Sequence, residues 1–361
     1  MKYLVLIIAV NFLISKTIQS QTTNIIILDS LEIKNLRTIL ENSKSAKILF
    51  DSILIEVKKG IKQIPLPVDE IHYEGLLDNN PERIKTVESF TNIEAVVSLI
   101  YAGYGMENDE FGEKVKTFVL AWAKIYKPIG NPINENKLNA LFWGYFLFQN
   151  HFNLKEREIV EKWLLTIARK EMNREQTPNN NWEAKRLKII GTIGCILNNE
   201  ELKNHSIAGF RKYIETSYYA DGTSNDLLTR DALHYHVSGL TPCLSTFVNL
   251  SKFDKRFEMF SYISGSGSSI KKSVEYVVPY AMGEIQRKEW MNTKVQLDKD
   301  RAAAGLPEYQ PGKLFEPVNA YPMFEWACYY NRDWYSVFEN TNQEKHTTTW
   351  IGLLNSPLVR E

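Results

Sequence analysis

Apolar residues recur at helical spacing over most of the chain beyond residue 22. One clear apolar face consists of Ile93, Val96, Val97, Ile100 and Tyr104. Similar patterns follow as far as Leu250, and loops with Pro, Gly or Asn separate them at 103–110, 128–136 and 176–181. Alternating runs typical of strands are scarce, and Glu275–Tyr280 is a weak candidate. The pattern therefore predicts an all-α chain.

Two further segments extend the helical series towards the C-terminus. Residues 270–282 and 321–338 have helical patterns, whereas 283–320 is polar, contains Gly and Pro, and reads as long loops. There is no break in composition and no fixed-period repeat. Many helices with short connections predict one domain over 21–361, a single incomplete α/α toroid of paired antiparallel helices. A helical solenoid is the alternative.

The first twenty residues have the pattern of a targeting segment. Lys2 is followed by an apolar run from Leu4 to Ile14 and then by a polar stretch. This run is shorter than the roughly 20 residues that a membrane-spanning helix needs. We expect residues 1–20 to be a cleaved signal peptide, with an uncleaved anchor as the alternative. The mature protein would then be periplasmic or secreted, with no membrane span.

The composition is that of a globular protein. Lys plus Arg and Asp plus Glu are both 43, so the formal net charge is zero, and 44% of the 361 residues are hydrophobic. These values exclude a disordered chain and a polytopic membrane protein, and they argue against nucleic-acid binding through bulk positive charge. The three cysteines, Cys195, Cys243 and Cys328, have neither a disulfide nor a zinc spacing. We expect three buried thiols, and a Cys195–Cys243 bridge stays open.

The densest run of polar residues is 221–236. Asp221-Gly222 indicates a turn, and Thr223-x-x-Asp226 resembles a capping box that opens a helix. The sequence therefore predicts a helix that begins here and carries the polar side chains of the run.

Three side chains in this run are suited to chemistry. In a continuous helix Arg230 and His234 share a face, and Tyr235 stands one position round. A cation, an imidazole and a phenol this close together can bind an anion and transfer a proton. The alternative is a surface helix in which Arg230 pairs with Asp226 and His236 packs inside.

A second candidate is the run of asparagines before the pattern that starts at Trp182. Asn180 and Asn181 fit a plain turn and N-cap equally well. In a functional reading, an amide donates a hydrogen bond to a carboxylate or a developing oxyanion.

Together these stretches resemble the alginate lyase family of polysaccharide lyases, which have an α/α-toroid fold. In that family an Asn-Asn-His motif precedes a helix, and an Arg-containing helix with a Tyr-His pair follows later. The corresponding motifs are Asn180-Asn181-Trp182 and Arg230-x-x-x-His234-Tyr235-His236. The resemblance covers roughly residues 90–340. The chain departs from the family pattern at Trp182, where the family often has a His that assists neutralisation or proton abstraction.

The resemblance implies β-elimination on a uronic-acid polymer such as alginate. Asn181 and Arg230 would neutralise the substrate carboxylate, and Tyr235 would protonate the leaving oxygen and is also a candidate for the base. His234 or His236 would take over the role of the missing family His. The substrate is then an anionic polysaccharide or oligosaccharide, and no cofactor or metal is expected.

The remaining binding candidates are weaker. Asn180, Trp182 and His236 are expected to contact substrate because they belong to the matching motifs. Arg287 belongs to a stretch, 283–301, in which five basic residues could hold flanking uronates. The same stretch has four acidic residues, so a solvated mixed-charge surface is the alternative.

Two other functions stay open at this point. An α/α-toroid glycoside hydrolase would use two carboxylates, from among Asp221, Asp226 and Asp231. A periplasmic carbohydrate-binding protein would have kept the cleft without turnover, and Trp182 favours that reading. Only elimination yields an unsaturated uronate that absorbs in the ultraviolet.

Overall fold

The computed structural model of the protein describes residues 25–341 except 78 and 176, together with 350–355 and 359. The predicted signal peptide, residues 1–20, lies outside the described residues. Within the described part of the chain, no helix has both the length and the apolar character needed to cross a membrane.

The described residues form α-helices joined by short connections. The α-helices are α1 (Ser30–Asn42), α2 (Lys44–Gly60), α3 (Pro81–Gly105), α4 (Asp109–Ile125), α5 (Pro132–Glu135), α6 (Asn139–Leu147), α7 (Leu154–Met172), α8 (Asn181–Ile196), α9 (Glu200–Ser217), α10 (Asn225–Arg230), α11 (Leu233–Leu250), α12 (Ile270–Ala281), α13 (Gln296–Ala303), α14 (Tyr321–Ala327), α15 (Trp334–Thr341) and α16 (Trp350–Leu354).

Short 3₁₀ turns and two isolated bridges complete the regular structure of the described ranges. The 3₁₀ turns are Asn136–Leu138, Gln149–His151, Lys255–Phe257, Pro307–Tyr309 and Pro317–Ala320. The bridges join Tyr218 to Ser224 and Lys288 to Leu314. The all-α prediction is therefore confirmed, and residues 275–280 lie inside α12 rather than in a strand.

Local sequence explains where many of these helices begin. Asp29 and Asn153 form capping boxes with the glutamates three residues later, which satisfies orphan backbone N–H groups. At α3, Asn80 is the N-cap and Pro81 is the first helical residue, where its missing N–H costs no hydrogen bond. The helical ends are thus encoded locally.

The helices form two layers of a ring. Helices α3, α6, α8, α11 and α14 make up the inner layer, each in contact with the next. Helices α4, α7, α9, α12 and α15 pack outside them. Helix α6 is buried on all sides from Asn139 to Tyr145, as expected for an inner helix between two neighbours. This arrangement is the predicted incomplete α/α toroid.

Chain segments near the two ends of the described region brace the ring. The side chain of Asn249 in α11 donates to the carbonyl of Ile25 (2.7 Å) and accepts from the N–H of Ile27 (3.0 Å). Trp350 of α16 stacks on Phe50 of α2 at 5.6 Å between ring centroids. Both contacts are buried and long-range, so they hold the first helices against the later ones.

Two details differ from the sequence-based expectations, and a third agrees with them. The N-cap of α10 is Ser224, not Thr223, whose N–H and hydroxyl instead bond to the Asp221 carboxylate. The polar stretch 283–320 contains a helix, α13, as well as loops. The three cysteines are buried and unbridged, as expected for a fold that relies on its own core.

The expected continuous helix through residues 223–236 is broken. Helix α10 ends at Arg230, and Asp231 takes a left-handed conformation with φ of 51°. Non-glycine residues rarely adopt this conformation, but Asp tolerates it when its side chain is held locally. Here the Asp231 carboxylate accepts from Arg287 Nη2 (2.8 Å) and from the N–H of Asn292 (3.0 Å). Arg230 and His234 therefore lie on different helices.

Candidate active site

A cleft of about 570 Å³ opens between the inner helices α8 and α11. The 3₁₀ turn 136–138 lies along one side, and residues from the 289–322 region lie along another. Polar side chains on its walls include Lys137, Lys185, Lys188, His234, Ser238 and Tyr309. A concave site with converging polar groups is the usual form of a small-molecule or oligosaccharide site.

Glu289 orients His234 on the cleft wall. The ring Nδ1 of His234 lies 3.1 Å from Glu289 Oε2, and its backbone N–H donates to Glu289 Oε1 at 3.0 Å. Glu289 is 2% exposed, so it makes these contacts largely out of water. Because a carboxylate only accepts, the Nδ1 atom carries the hydrogen, and in the neutral ring the free lone pair is on Nε2. Sequence analysis missed Glu289, whose only signal was its place in a mixed-charge loop.

Tyr235 belongs to a cluster of rings and cations next to His234. Its ring lies 4.6 Å from that of His234, and the Arg230 guanidinium stacks over it at 3.7 Å. Its hydroxyl is 3.4 Å from the hydroxyl of Tyr309, which lines the cleft, and 3.4 Å from Arg301 Nη1. Burial and then the neighbouring Tyr235 raise the pKa of Tyr309, and the charges of Arg301 and Arg230 oppose that rise.

Arg230 also has a structural partner. Its Nη2 lies 3.2 Å from Asp298 Oδ1, and the Asp298 side chain is fully buried. Burial raises the pKa of Asp298, and the charge of Arg230 opposes that rise. Arg230 thus pairs with Asp298 rather than with Asp226, the partner expected in a plain surface helix.

Asn181 is the first residue of α8 and connects this helix to α10 and α11. Its side-chain Nδ2 donates to Ser238 Oγ at 3.1 Å, and Ser238 is one helical turn after His234. Its backbone N–H donates to Asp226 Oδ2 at 2.9 Å. Burial raises the pKa of Asp226 to about 6, while the hydrogen bond from Asn181 opposes the rise. Of the four residues predicted as catalytic, His234 lines the cleft, whereas Asn181, Arg230 and Tyr235 are not on its wall. Asn181 contacts the wall residue Ser238, and Tyr235 packs between His234 and Arg230.

Helix α11 offers a further acceptor at the cleft. Pro242 lies inside the helix and has no N–H, so the carbonyl of Ser238, four residues earlier, lacks its helical donor. Ser238 and Pro242 both line the cleft. A sugar hydroxyl is the kind of donor that this carbonyl can accept from.

Asn180 and Trp182 occupy the N-terminal turn of α8. The side chain of Asn180 accepts from the N–H of Trp182 at 2.9 Å, so Asn180 is the N-cap. The Trp182 ring is half-buried beneath the guanidinium of Arg174, which lies 5.2 Å from the ring centroid. Neither residue is on the wall of the cleft described above.

His236 and Arg287 have structural contacts. His236 is fully buried, with Nδ1 2.7 Å from Ser224 Oγ and Nε2 3.0 Å from the carbonyl of Ser273. Burial lowers the pKa of His236 to about 4, so it is neutral and joins α10, α11 and α12 rather than reaching substrate. Arg287 pairs with Asp231 and supports the left-handed break.

The carboxylates considered for a hydrolase do not form a facing pair on the cleft wall. The Asp221 carboxylate accepts from the N–H of Thr223, and the Asp231 carboxylate accepts from the N–H of Asn292. Asp226 is buried and accepts from the N–H of Asn181 in the first turn of α8. None of the three is on that wall. In the described residues, no group of three or more His, Cys, Asp or Glu side chains is arranged to hold a metal ion.

Three lysines on the cleft were not predicted. Lys185 and Lys188 follow Asn181 by four and seven residues, so the three side chains share one face of α8. Lys137 comes from the 3₁₀ turn that packs on α8. The helical spacing from Asn181 was the available signal for the first two, whereas only the tertiary fold brings Lys137 to them.

Comparisons with known proteins identify the family and the fold of the chain. A model of the alginate lyase family matches residues 51–290. An alginate lyase from Bacteroides ovatus has a similar structure, with 14% identity, a TM-score of 0.69, and coverage of 93% of this chain and 99% of that one. Alginate lyase A1-III from Sphingomonas species A1 has 17% identity, a TM-score of 0.52, and coverage of 82% and 95%.

A variant of alginate lyase A1-III complexed with a tetrasaccharide is also similar, with 16% identity, a TM-score of 0.51, and coverage of 72% of this chain and 79% of that one. No curated protein matches the chain in sequence. These structural likenesses support the fold, and the family match covers most of the toroid including α8, α10 and α11. The chain belongs to the alginate lyase family and is a polysaccharide lyase.

Proposed function

We propose that the protein cleaves a uronic-acid polymer, alginate or a related polyuronate, by β-elimination in the cleft between α8 and α11. The observation that carries the proposal is the hydrogen bond from Asn181 to Ser238. It holds an amide donor of one inner helix beside the face of the other that bears His234. A carboxylate-neutralising donor and a proton-transfer group are thereby adjacent.

The reaction requires groups that transfer protons and groups that stabilise the negatively charged intermediate. A base removes the C5 proton, the electron pair forms the C4–C5 double bond, and the bond between C4 and the glycosidic oxygen breaks. The leaving oxygen then takes a proton and becomes the new reducing end. Since the C5 proton is weakly acidic beside a charged carboxylate, donors must stabilise the enolate-like intermediate. Asn181 is assigned to this role, and Arg230 supports it through its charge.

Proton transfer is assigned to the aromatic cluster. The hydroxyl oxygens of Tyr235 and Tyr309 lie 3.4 Å apart, and Arg301 Nη1 lies 3.0 Å from the Tyr309 oxygen. Tyr235 is the acid that protonates the leaving oxygen, with Tyr309 as the group through which the proton reaches the cleft. His234, held by Glu289, presents Nε2 as the base.

This assignment accounts for Trp182 in the position where the family often has a His. Trp182 packs with Arg174 at the start of α8 and does not reach the cleft wall. His234 supplies an imidazole at the cleft from α11 instead. The tetrasaccharide bound by a similar alginate lyase supports an oligosaccharide-sized substrate.

The proposal includes export. The N-terminal pattern predicts removal of residues 1–20, after which residues 21–361 would act in the periplasm or outside the cell. An extracellular or periplasmic site of action fits a polymer that is too large to enter the cytoplasm intact.

The test is a panel of anionic polysaccharides incubated with the full-length protein. We expect ultraviolet absorbance from the unsaturated product with at least one polyuronate, and none with a neutral glucan. New reducing ends without that absorbance would indicate hydrolysis and overturn the proposal. Binding without any product would support the carbohydrate-binding alternative.

A further inference from the structure

Trp290 contacts all three side chains to which proton transfer is assigned. Its ring centroid lies 4.9 Å from that of His234, 5.8 Å from that of Tyr235 and 5.0 Å from that of Tyr309. The side chain is 2% exposed and is not on the cleft wall, so it lies behind the groups that face a substrate. One indole is therefore the common neighbour of side chains from separate segments of the chain.

The backbone of Trp290 has a conformation that a bulky residue rarely adopts. Its φ is 66°, in the left-handed region, where the Cβ crowds the following carbonyl oxygen. The N–H of Trp290 donates to the carbonyl of Asp231 at 2.8 Å. On the other side, the N–H of Glu289 donates to the carbonyl of Lys313 at 2.7 Å, and the Glu289 carbonyl accepts from the N–H of Gly312 at 2.9 Å. Hydrogen bonds on two sides therefore hold this dipeptide in a strained shape.

The left-handed turn allows two successive side chains to reach the same imidazole. In extended backbone, neighbouring side chains point to opposite faces. Here Glu289 Oε2 lies 3.1 Å from Nδ1 of His234, and the Trp290 ring packs against the same imidazole with 59° between the ring planes. The carboxylate fixes one edge of the imidazole, and the indole limits its tilt. A relaxed backbone at Trp290 would turn one of these two side chains away.

The same indole packs against both phenols. The Tyr235 ring meets it edge-on, with 84° between the planes, and the Tyr309 ring lies against it at 42°. In this arrangement the two hydroxyl oxygens are 3.4 Å apart, slightly more than an ordinary O–H···O hydrogen bond. Because proton transfer requires hydrogen-bond distance, a shift of either ring by about 1 Å would interrupt it.

We propose that Trp290 is a positioning residue, whose indole aligns His234 with Tyr235 and Tyr309 for proton transfer. It acts through these side chains and does not touch the substrate. Backbone strain is retained where a site requires it, and the left-handed conformation of Trp290 is explained by this role. The inference rests on the proposed function for the chemistry that the alignment serves, whereas the alignment itself can be measured without turnover.

The experiment compares full-length Trp290→Phe and Trp290→Leu with the wild type. Phe keeps one ring but is too small to contact three partners at these distances, and Leu keeps only apolar volume. Trp122→Phe is the matched control. Trp122 in α4 is also fully buried, its Nε1 has no partner among the described residues, and it is not on the cleft wall.

Four quantities are measured for each protein. Urea unfolding gives the stability, and initial rates on the most active polyuronate give kcat and KM. Calorimetry gives the Kd of a mannuronate tetrasaccharide. NMR of isotope-labelled histidine rings reports the tautomer of His234, whose signal is assigned by its loss in His234→Gln.

We expect Trp290→Phe to lower kcat about tenfold and Trp290→Leu about 10²-fold, as for reacting groups that are slightly misplaced. KM and the tetrasaccharide Kd should change little, since Trp290 does not contact substrate. The wild-type signal of His234 should be that of one tautomer with the hydrogen on Nδ1, and in Trp290→Leu it should be an average of two. Trp122→Phe should be less stable in urea but keep the wild-type kcat and histidine signal.

A wild-type kcat and an unchanged His234 signal in Trp290→Phe would overturn the inference, whether or not Trp290→Leu folds. An equal fall in kcat in Trp122→Phe would also contradict it, because the loss would then follow stability alone. If the Trp290 variants lose the single tautomer but no form of the protein cleaves a polyuronate, the proposed function fails and the alignment stands. No cleavage and no change in the tautomer would reject both.

Discussion

Glu289 contacts His234 through both carboxylate oxygens: Oε2 lies beside the ring Nδ1, and Oε1 accepts from the backbone N–H. The two residues are 55 positions apart, and the loop that follows α12 brings them together. This contact orients the imidazole and selects the tautomer whose Nε2 can accept a proton. In the proposed mechanism His234 is the base, and Glu289 is the group that holds it in place.

Replacing Glu289 by Gln tests that relationship. The amide can donate to Nδ1, which would favour the opposite tautomer and place the hydrogen on Nε2. We expect kcat on the best polyuronate to fall by about 10²-fold or more, with KM little changed. Glu284→Gln, on the exposed part of the same loop, is the control. Full turnover in Glu289→Gln with an intact fold would remove His234 from the role of base.

The two phenols are tested by Tyr235→Phe and Tyr309→Phe. Each change removes one oxygen and leaves the ring packing, so folding should be nearly unaffected. We expect Tyr235→Phe to lower turnover by about 10²–10⁴-fold while the Kd for oligosaccharide stays the same. Tyr309→Phe should lower turnover less if it only relays the proton. The reverse order, measured by initial rates, would make Tyr309 the acid and Tyr235 its support.

Arg230 is expected to have both a structural and a functional role. Arg230→Ala leaves the buried Asp298 carboxylate without its cation, which should cost about 3 kcal/mol in the free energy of unfolding. It should also weaken both binding and turnover. The double variant Arg230→Ala/Asp298→Asn should recover most of the stability but not the activity. Recovery of both, followed by urea unfolding and initial rates, would show that Arg230 acts only through the fold.

The buried carboxyl pair Glu135 and Glu171 predicts a pH-dependent stability. Burial and then repulsion by Glu135 raise the pKa of Glu171 well above its ordinary value of 4.5, so the folded protein keeps this proton at neutral pH. Above about pH 4.5 the unfolded chain releases the proton, so stability falls as pH rises towards the folded-state pKa. The slope from this group is at most about 1.4 kcal/mol per pH unit.

Glu171→Gln should flatten that decline. We expect the variant to match wild type near pH 4 and to exceed it in stability at pH 7 and above, as measured by urea unfolding across the range. Glu175→Gln changes an exposed carboxylate nearby and should leave the wild-type slope in place. The same slope in wild type and Glu171→Gln would show that Glu171 is ionised in the folded state.

Local chemistry in the sequence was sufficient for part of the site. The Asn-Asn run at the start of α8 and the Arg-His-Tyr run after it led to Asn181, Arg230, His234 and Tyr235, of which His234 lines the cleft and the other three contact it or its neighbours. The break at Asp231 was not foreseen, because the left-handed conformation depends on Arg287 and Asn292 from a distant loop. Likewise, His236 looked like its neighbour His234, but only packing shows that it is buried.

The amphipathic spacing of apolar residues, by itself, determined that the chain is all-α, since periodicity of 3.6 residues dictates which face is buried. That spacing left open whether the helices close into a toroid or stack as a solenoid. Caps such as Asp29 and Asn80 determined helix starts for the same local reason. Only the tertiary structure decided that Glu289 holds His234, that Tyr309 meets Tyr235 and that Lys137 joins Lys185. These pairs come from segments far apart in the chain, and their geometry depends on how loops close over the inner helices, which no local pattern encodes.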